Sequence, residues 1–443
     1  MTTTLGLAAA RPALRGDLVL GPAVRDGAGW THTIKDPRSS WYFQVGPREF
    51  FIMSRLDGQR SLGEIGSEYA AWSGRRLAEP HWQQILGMLA ARRLLTGTDD
   101  EASMARLAEA GRRQRRGTQT LLYRRLSLAD PDRLFGRLEP RLRPLFSPWF
   151  VLPALVAALA VEISMAFSAA ALYHQVRADW HYPPAWIGYV LVMWFGLMLH
   201  EIAHGVTSKH FCGASSEIGL LWRFPFLAPY CKADDVLLFP NKWHRVYTAF
   251  AGVFANLLLL LPFCVLWLLT SPGSKTHVLS APLILFGSVA ALANLWPFLQ
   301  LDGYYMLNHS LGMVNLRKAS SSYWAQLGRG LLGRGGAREA YPPAARRAYF
   351  LYGGASFLFV AALAGWAMTE GDLSLARRTG GPLALGITGS VIALLAASGF
   401  FARRLARVRE SRKPAGAAEA VRQLDAAAPV ASWRARADQW RKQ

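Results

Sequence analysis

The sequence predicts a mainly α-helical protein: a polytopic membrane helix bundle of about six transmembrane helices, with a small N-terminal α+β domain of winged-helix type on the cytoplasmic side. Three observations predict it. Long apolar runs recur from residue 149 onward. Lysine and arginine crowd into alternate connections between those runs. The first 145 residues lack such runs and carry turn and helix-cap signals instead.

Composition agrees. Hydrophobic residues make up 52% of the 443 and charged ones 18%, and mean hydropathy is positive. The net charge of +21 invites a nucleic-acid reading. However, the chain has no paired Cys/His finger and no basic, aromatic stripe on a predicted sheet. Its arginines stand beside the apolar blocks, where they orient a membrane protein. Membrane lipid is therefore the expected partner, and nucleic acid is not. Cys212, Cys231 and Cys264 form no CxxC pair and are too few for a disulfide scaffold. The segment from Met1 to Arg15 has no long apolar core followed by a cleavage site, so it does not read as a signal peptide.

Along the chain, residues 1–100 form the N-terminal domain. Trp41 to Phe51 is strand-like, with Gly46-Pro47 as a turn. Ser61 and Glu64 fit a capping box ahead of a helix carrying Leu62, Ile65 and Tyr69. A second helix carries Trp82, Ile85, Leu86 and Leu89 and ends near Leu94-Leu95-Thr96-Gly97. Residues 101–147 are Arg-rich and read as a linker with a juxtamembrane helix. Residues 148–403 hold the candidate spans, at roughly 149–173, 186–207, 246–270, 280–303, 347–368 and 382–402. At that depth an open sheet is excluded, so these are helices. Lys209, Arg223, Lys232, Lys242 and Arg245 lie in one connection, and another runs from Arg317 to Arg347. The intervening connections carry only Arg177, only Lys275, and Arg377 with Arg378. The bias places both termini and the two basic loops in the cytoplasm, in a multi-pass inner-membrane protein. Residues 404–443 are a basic cytoplasmic tail, expected to be solvated.

The second apolar run contains His200-Glu201-Ile202-Ala203-His204. The histidines are one helical turn apart, so both imidazoles project from one face and can share a tetrahedral zinc ion, one per chain. Glu201 beside them is placed to take a proton from water rather than to bind the metal. Ionisable groups at such depth are costly, about 2.5–3.5 kcal/mol for a charge at a helix centre on insertion scales, and usually mark function. The fourth run supplies a carboxylate at Leu301-Asp302-Gly303, on the same predicted side of the membrane. Pro297 breaks that helix upstream, and Asn294 lies about two turns before Asp302, within reach of the same cavity.

His200-Glu201-x-x-His204 with Asn294-x-x-Pro297-x-x-x-Leu301-Asp302-Gly303 resembles the site-2 protease family of intramembrane zinc metalloproteases. Ala251-Gly252-Val253-Phe254-Ala255-Asn256 is similar to that family's Ala-Gly-Pro-x-x-Asn helix start, with Val253 where proline is usual. The resemblance covers roughly residues 185–310. It implies peptide-bond hydrolysis, with His200, His204 and Asp302 as metal ligands, Glu201 as general base and Asn294 as an oxyanion contact. No regulatory PDZ insert is recognisable.

Tyr42-Phe43-Gln44-Val45-Gly46-Pro47-Arg48-Glu49-Phe50, Leu56-Asp57-Gly58, Ser61-Leu62-x-Glu64-Ile65 and Arg93-Leu94-Leu95 resemble PqqD-type domains. Those domains bind the leader of a precursor peptide by strand addition. A PqqD-like domain fused to a site-2-like protease is similar to the peptide zinc metalloproteases of ribosomal-peptide gene clusters. The resemblance implies a precursor peptide as substrate, processed during maturation or export. Regulated cleavage of a membrane-anchored signalling protein, and a peptide export or immunity protein with a structural metal, are the alternatives. Among other polar residues, Glu162 is an acid at membrane depth that either lines a water path or bonds to a neighbour. Asp234 and Asp235 read as solvated or helix-capping, and His210 and His244 as interfacial rather than ligating. The stretch 213–240 is expected to dip back towards the site as a hairpin.

Overall fold

The computed structural model describes residues 7–379 except 99, 117–122, 130, 179–182, 215–216, 224–225 and 334–340. The described chain is mainly helical and packs as two units. One takes its described residues from 1–16, 48–101 and 346–443, and the other from 17–47 and 102–345.

In the first unit, α1 (Pro47–Met53) opens on a proline, whose fixed φ suits a first helical turn. Phe50 and Phe51 are therefore helical, and the strand-like stretch stops at Val45. In α2 (Leu62–Ser73) the capping box forms as the sequence predicts. Glu64 N–H donates to Ser61 Oγ at 3.2 Å, and Ser61 N–H donates to Glu64 Oε2 at 2.7 Å. Leu62, Ile65 and Tyr69 are its buried stripe, and Gly74, with φ 70, ends it. In α3 (Glu79–Ala91), Trp82, Leu86 and Leu89 are buried. Residues 13–15 thread alongside, with Leu14 N–H donating to Leu56 O and Arg15 N–H to Leu94 O.

In the second unit, β1 (Val19–Asp26), β2 (Gly29–Asp36) and β3 (Trp41–Val45) form an antiparallel meander. The tight turn between the first two uses Gly27 at φ 58. The expected linker is built differently from a plain connection. It holds α4 (Glu101–Arg116), β4 (Tyr123–Ala129) and α5 (Pro131–Leu142). Then come α6 (Pro148–Phe167), the short α7 (Ala169–Ala178) and the long α8 (Pro183–His210). The stretch after α8 returns as the hairpin β5 (Glu217–Arg223) and β6 (Phe226–Lys232), with β4 adding on β5's outer side in the order β4-β5-β6. Two long helices follow, α9 (Lys242–Leu269) and α10 (Lys275–Asn294), then α11 (Asp302–Ser310). A two-residue strand, β7 (Met313–Val314), pairs parallel with β1, so the first sheet runs β3-β2-β1-β7. α12 (Leu316–Leu331) follows, and the last described helix, α13 (Pro343–Thr379), belongs from Arg346 on to the first unit.

Among the described residues, five helices are long and apolar enough to cross a membrane: α6, α8, α9, α10 and the first part of α13, Pro343–Trp366. Their outward faces carry large apolar side chains, Trp149 at 91% and Phe167 at 89% exposure among them. In water such a surface would be severely penalised, whereas in lipid it is the solvated one. The sixth expected run, 382–402, lies outside the described residues. Between the spans, Met165, Leu172, Leu260, Cys264, Ala281 and Ile284 form one buried cluster, and Ala158, Val253, Leu257 and Ala291 form another.

Asp235 departs from the expectation of a solvated or capping acid. It is buried and 2.7 Å from Lys35 Nζ, and it accepts from Tyr42 Oη at 2.7 Å and from the Ala214 N–H at 2.7 Å. The network ties the β2–β3 sheet to the segment after the hairpin. A lysine 200 residues away and a tyrosine 193 away supply the partners, which no local pattern reveals. Removing one member strands the other charge, so Asp235→Ala should destabilise by about 3 kcal/mol. The double variant Asp235→Leu/Lys35→Met should recover much of that in detergent melting curves.

Candidate metal centre

The site is assembled from one face of α8. His200 and His204, a turn apart, stand with ring centroids 4.7 Å apart and Nε2 atoms 3.1 Å apart. The third member arrives from the other end of a broken helix. The chain leaves α10 at Asn294, turns through Pro297 and restarts as α11 at Asp302. Gly303 permits the return, since a Cβ there would run into the Leu295 carbonyl. Asp302 Oδ2 then lies 3.1 Å from His200 Nε2, and Oδ1 lies 3.4 Å from His204 Nε2. One ligand atom from each residue falls within 4.8 Å of the others.

These separations test the fit to a metal. Bonds of about 2.0–2.1 Å to a tetrahedral ion put neighbouring ligand atoms about 3.3 Å apart; the two Nε2 atoms are 3.1 Å apart, and each has one of the two Asp302 oxygens at 3.1 or 3.4 Å. Protonation agrees for His204. Its Nδ1 is 2.6 Å from the Thr248 carbonyl, which can only accept, so the proton sits on Nδ1 and Nε2 presents a lone pair. His200 Nδ1 lies 3.1 Å from Asn256 Nδ2. Exchanging the amide's O and N, which leaves its shape unchanged, gives His200 the same tautomer. Asp302 Oδ2 is buried without a hydrogen-bond partner, with His200 Nε2 3.1 Å away. The residues fit a zinc ion.

α9 holds the pair in place through Thr248, Gly252 and Asn256, four residues apart and so on one face. A Cβ at Gly252 would sit 2.5 Å from both His200 Nε2 and His204 Nε2. Gly252 and Asn256 fall within the stretch quoted above, but their roles follow only from which face of α9 meets α8. Val253, where the resembling motif has proline, is fully buried inside an unbroken helix. On the far side α5 braces the end of α8. Phe135 fills the space at Gly205, Lys209 Nζ pairs with Asp132 at 2.8 Å, and His210 Nδ1 with Glu139 at 2.8 Å.

Glu201 stands outside the three ligands. Its Oε2 accepts the Cys231 N–H at 2.8 Å, and Trp194 Nε1 donates to Leu227 O at 3.2 Å. β6 thus runs along α8, and the stretch after the catalytic-type motif does dip back to it. Asn294 is half-buried at the end of α10 and hydrogen-bonds to none of the three among the described residues. Glu162 accepts from Ser288 Oγ at 3.1 Å, the neighbour bond of its two readings. His210 and His244 take no part in the ligand group, and His244 stacks on Phe211 at 4.1 Å.

Compared with models of protein families, with curated proteins and with solved structures, the chain matches none. The functional reading therefore stands on these residues and their geometry.

Two variants probe the support of the ligands. Gly252→Ala should push the imidazoles apart and abolish stoichiometric zinc in purified protein, with helical circular dichroism retained. Asn256→Ala should weaken zinc affinity about 10–100-fold, the usual cost of losing a ligand's orienting partner, read by competition with a chromophoric chelator.

Proposed function

We propose that this chain is a membrane-embedded zinc metallopeptidase of the site-2 type, which hydrolyses peptide bonds in a ribosomally made precursor peptide during maturation or export. The observation that carries it is the separation of roles within one helical turn. Three groups present lone pairs to a common point, while a fourth, Glu201, stands beside them and is not drawn into the ligand set.

His200, His204 and Asp302 would hold the ion, and a two-histidine, one-carboxylate set with an open position favours zinc. Zinc there supplies Lewis-acid polarisation of a carbonyl and activation of water near neutral pH. Glu201 uses one oxygen to accept from Cys231, which fixes the carboxylate and leaves the other oxygen to take a proton from the attacking water. The same carboxylate then delivers that proton to the leaving amine. Asn294, near the break in the α10 helix, is the proposed donor to the developing oxyanion. The lysine and arginine bias supports placing this end of the bundle in the cytoplasm of a multi-pass inner-membrane protein.

The N-terminal residues are proposed to capture the precursor's leader. Their motif match supports this, as does the position of β3 at the outer edge of its sheet, where a peptide strand can add.

The test is detergent-purified protein, wild type beside Glu201→Gln, with candidate precursor peptides and product masses. Both should bind about one zinc per chain, and cleavage by the variant should fall by 10²–10⁴-fold, about the contribution of a positioned general base. Equal performance of the two would remove the base and leave a structural metal, as in an exporter or immunity protein.

A further inference from the structure

α5 carries two opposed faces. At 3.6 residues per turn, Asp132, Phe135 and Glu139 fall on one side of it, and Arg133, Arg137 and Arg141 fall on the other. The first side is taken up by α8: Phe135 packs at Gly205, Asp132 pairs with Lys209 and Glu139 with His210. On the second side all three arginines are exposed, with Leu134 exposed beside them. Both acids of the helix thus sit away from its arginines. Arg143, exposed as well, follows directly after the helix.

A row of arginines is ordinarily a solvated face, but the position of this one argues for a partner. Lys209 and His210, which α5 holds, are the last residues of the α8 span. Only the single turn Arg143–Phe146 and the cap Ser147 separate α5 from the start of the α6 span at Pro148. Phe146 stacks on His210 at 4.2 Å, which ties that turn to the same place. α5 therefore stands level with the ends of two spans, and span ends lie where lipid headgroups are. Leu134, Leu145 and Trp149 are exposed in the same stretch, the apolar and aromatic company that interfacial helices keep. Guanidinium groups match phosphate with paired N–H donors, and the charge is of the sign that anionic lipid attracts.

We infer that the face of α5 bearing Arg133, Arg137 and Arg141 docks on the anionic phospholipid headgroups of the membrane. One helix is then held between lipid phosphate on one side and the end of α8 on the other, just past His204. The inference requires a chain that spans a membrane, and it does not require a peptidase.

Melting of the full-length protein in neutral detergent tests it, because a ligand held by the folded state raises Tm. Dioleoylphosphatidylglycerol added to the micelles should raise the Tm of wild type, and dioleoylphosphatidylcholine should not. Each basic residue near an anionic surface contributes roughly a fivefold factor in binding. In the triple variant Arg133→Gln/Arg137→Gln/Arg141→Gln, half of the rise should therefore need on the order of a hundredfold more phosphatidylglycerol. Lysine at the same three positions should keep most of the response, since the charge stays. Arg48→Gln/Arg75→Gln/Arg76→Gln removes as much charge from exposed positions of the other unit and should respond like wild type. Should the α5 glutamine variant fail to fold, Arg137→Gln alone is read instead, with an expected shift of about fivefold. A folded α5 variant with an unchanged response overturns the inference. An equal loss in both glutamine variants also overturns it, since net charge alone would then be responsible. So does an equal rise with inorganic phosphate, which marks a free-anion site. A lipid response in a protein that neither holds zinc nor cleaves leaves the docking face standing without the peptidase. Zinc and cleavage without a lipid response remove the docking face alone.

Discussion

Two imidazole nitrogens and a carboxylate whose oxygens lie 3.1–3.4 Å from them repel one another, and inside an apolar helix bundle little solvent is present to screen them. His200 Nε2, His204 Nε2 and Asp302 are held in that relation, and much of the surrounding structure serves to keep them there. α8 supplies the pair, the break after Asn294 brings the carboxylate, and Gly303 makes the sharp return possible. Gly252 lets α9 approach until its Thr248 carbonyl fixes one imidazole and Asn256 the other. A positive charge at its centre would relieve that repulsion, in keeping with a group that could hold a metal ion.

Support for that centre comes from elements of different character. α5 grips the end of α8 through Phe135 and two charged contacts, which fixes the helix just beyond the ligands. β6 grips it from the side, through Trp194 and Glu201. The buried Lys35–Tyr42–Asp235 network anchors the segment that follows the hairpin. A carboxylate held by a backbone N–H, as Glu201 is by Cys231, needs that backbone held in turn.

Much of this was legible in the sequence, for identifiable reasons. The apolar runs, the HExxH turn, Asp302 and the Ser61–Glu64 cap are local patterns, and local patterns survive translation into structure. Asn256 and Gly252 were visible as residues but not as roles, because which face of α9 meets α8 is a tertiary fact. β1 and β2, joined by the tight turn at Gly27, escaped notice although they pair locally, whereas β4 escaped notice because its partner β5 lies far along the chain. Asp235 was misread for the same reason, its partners being about 200 residues away. Phe50 and Phe51 were misread because aromatic content favours a strand, while Pro47 starts a helix.

The strand beside Glu201 carries one more consequence. An exposed β-edge is a template on which any extended chain can pair and grow. Along β6, Leu227 O is taken by Trp194, Pro229 has no N–H to give, and the Cys231 N–H is taken by Glu201. The edge is closed at three successive alternate residues by the Trp194 side chain, an imino acid and the Glu201 carboxylate. β6 therefore offers little free backbone on which another extended chain could pair.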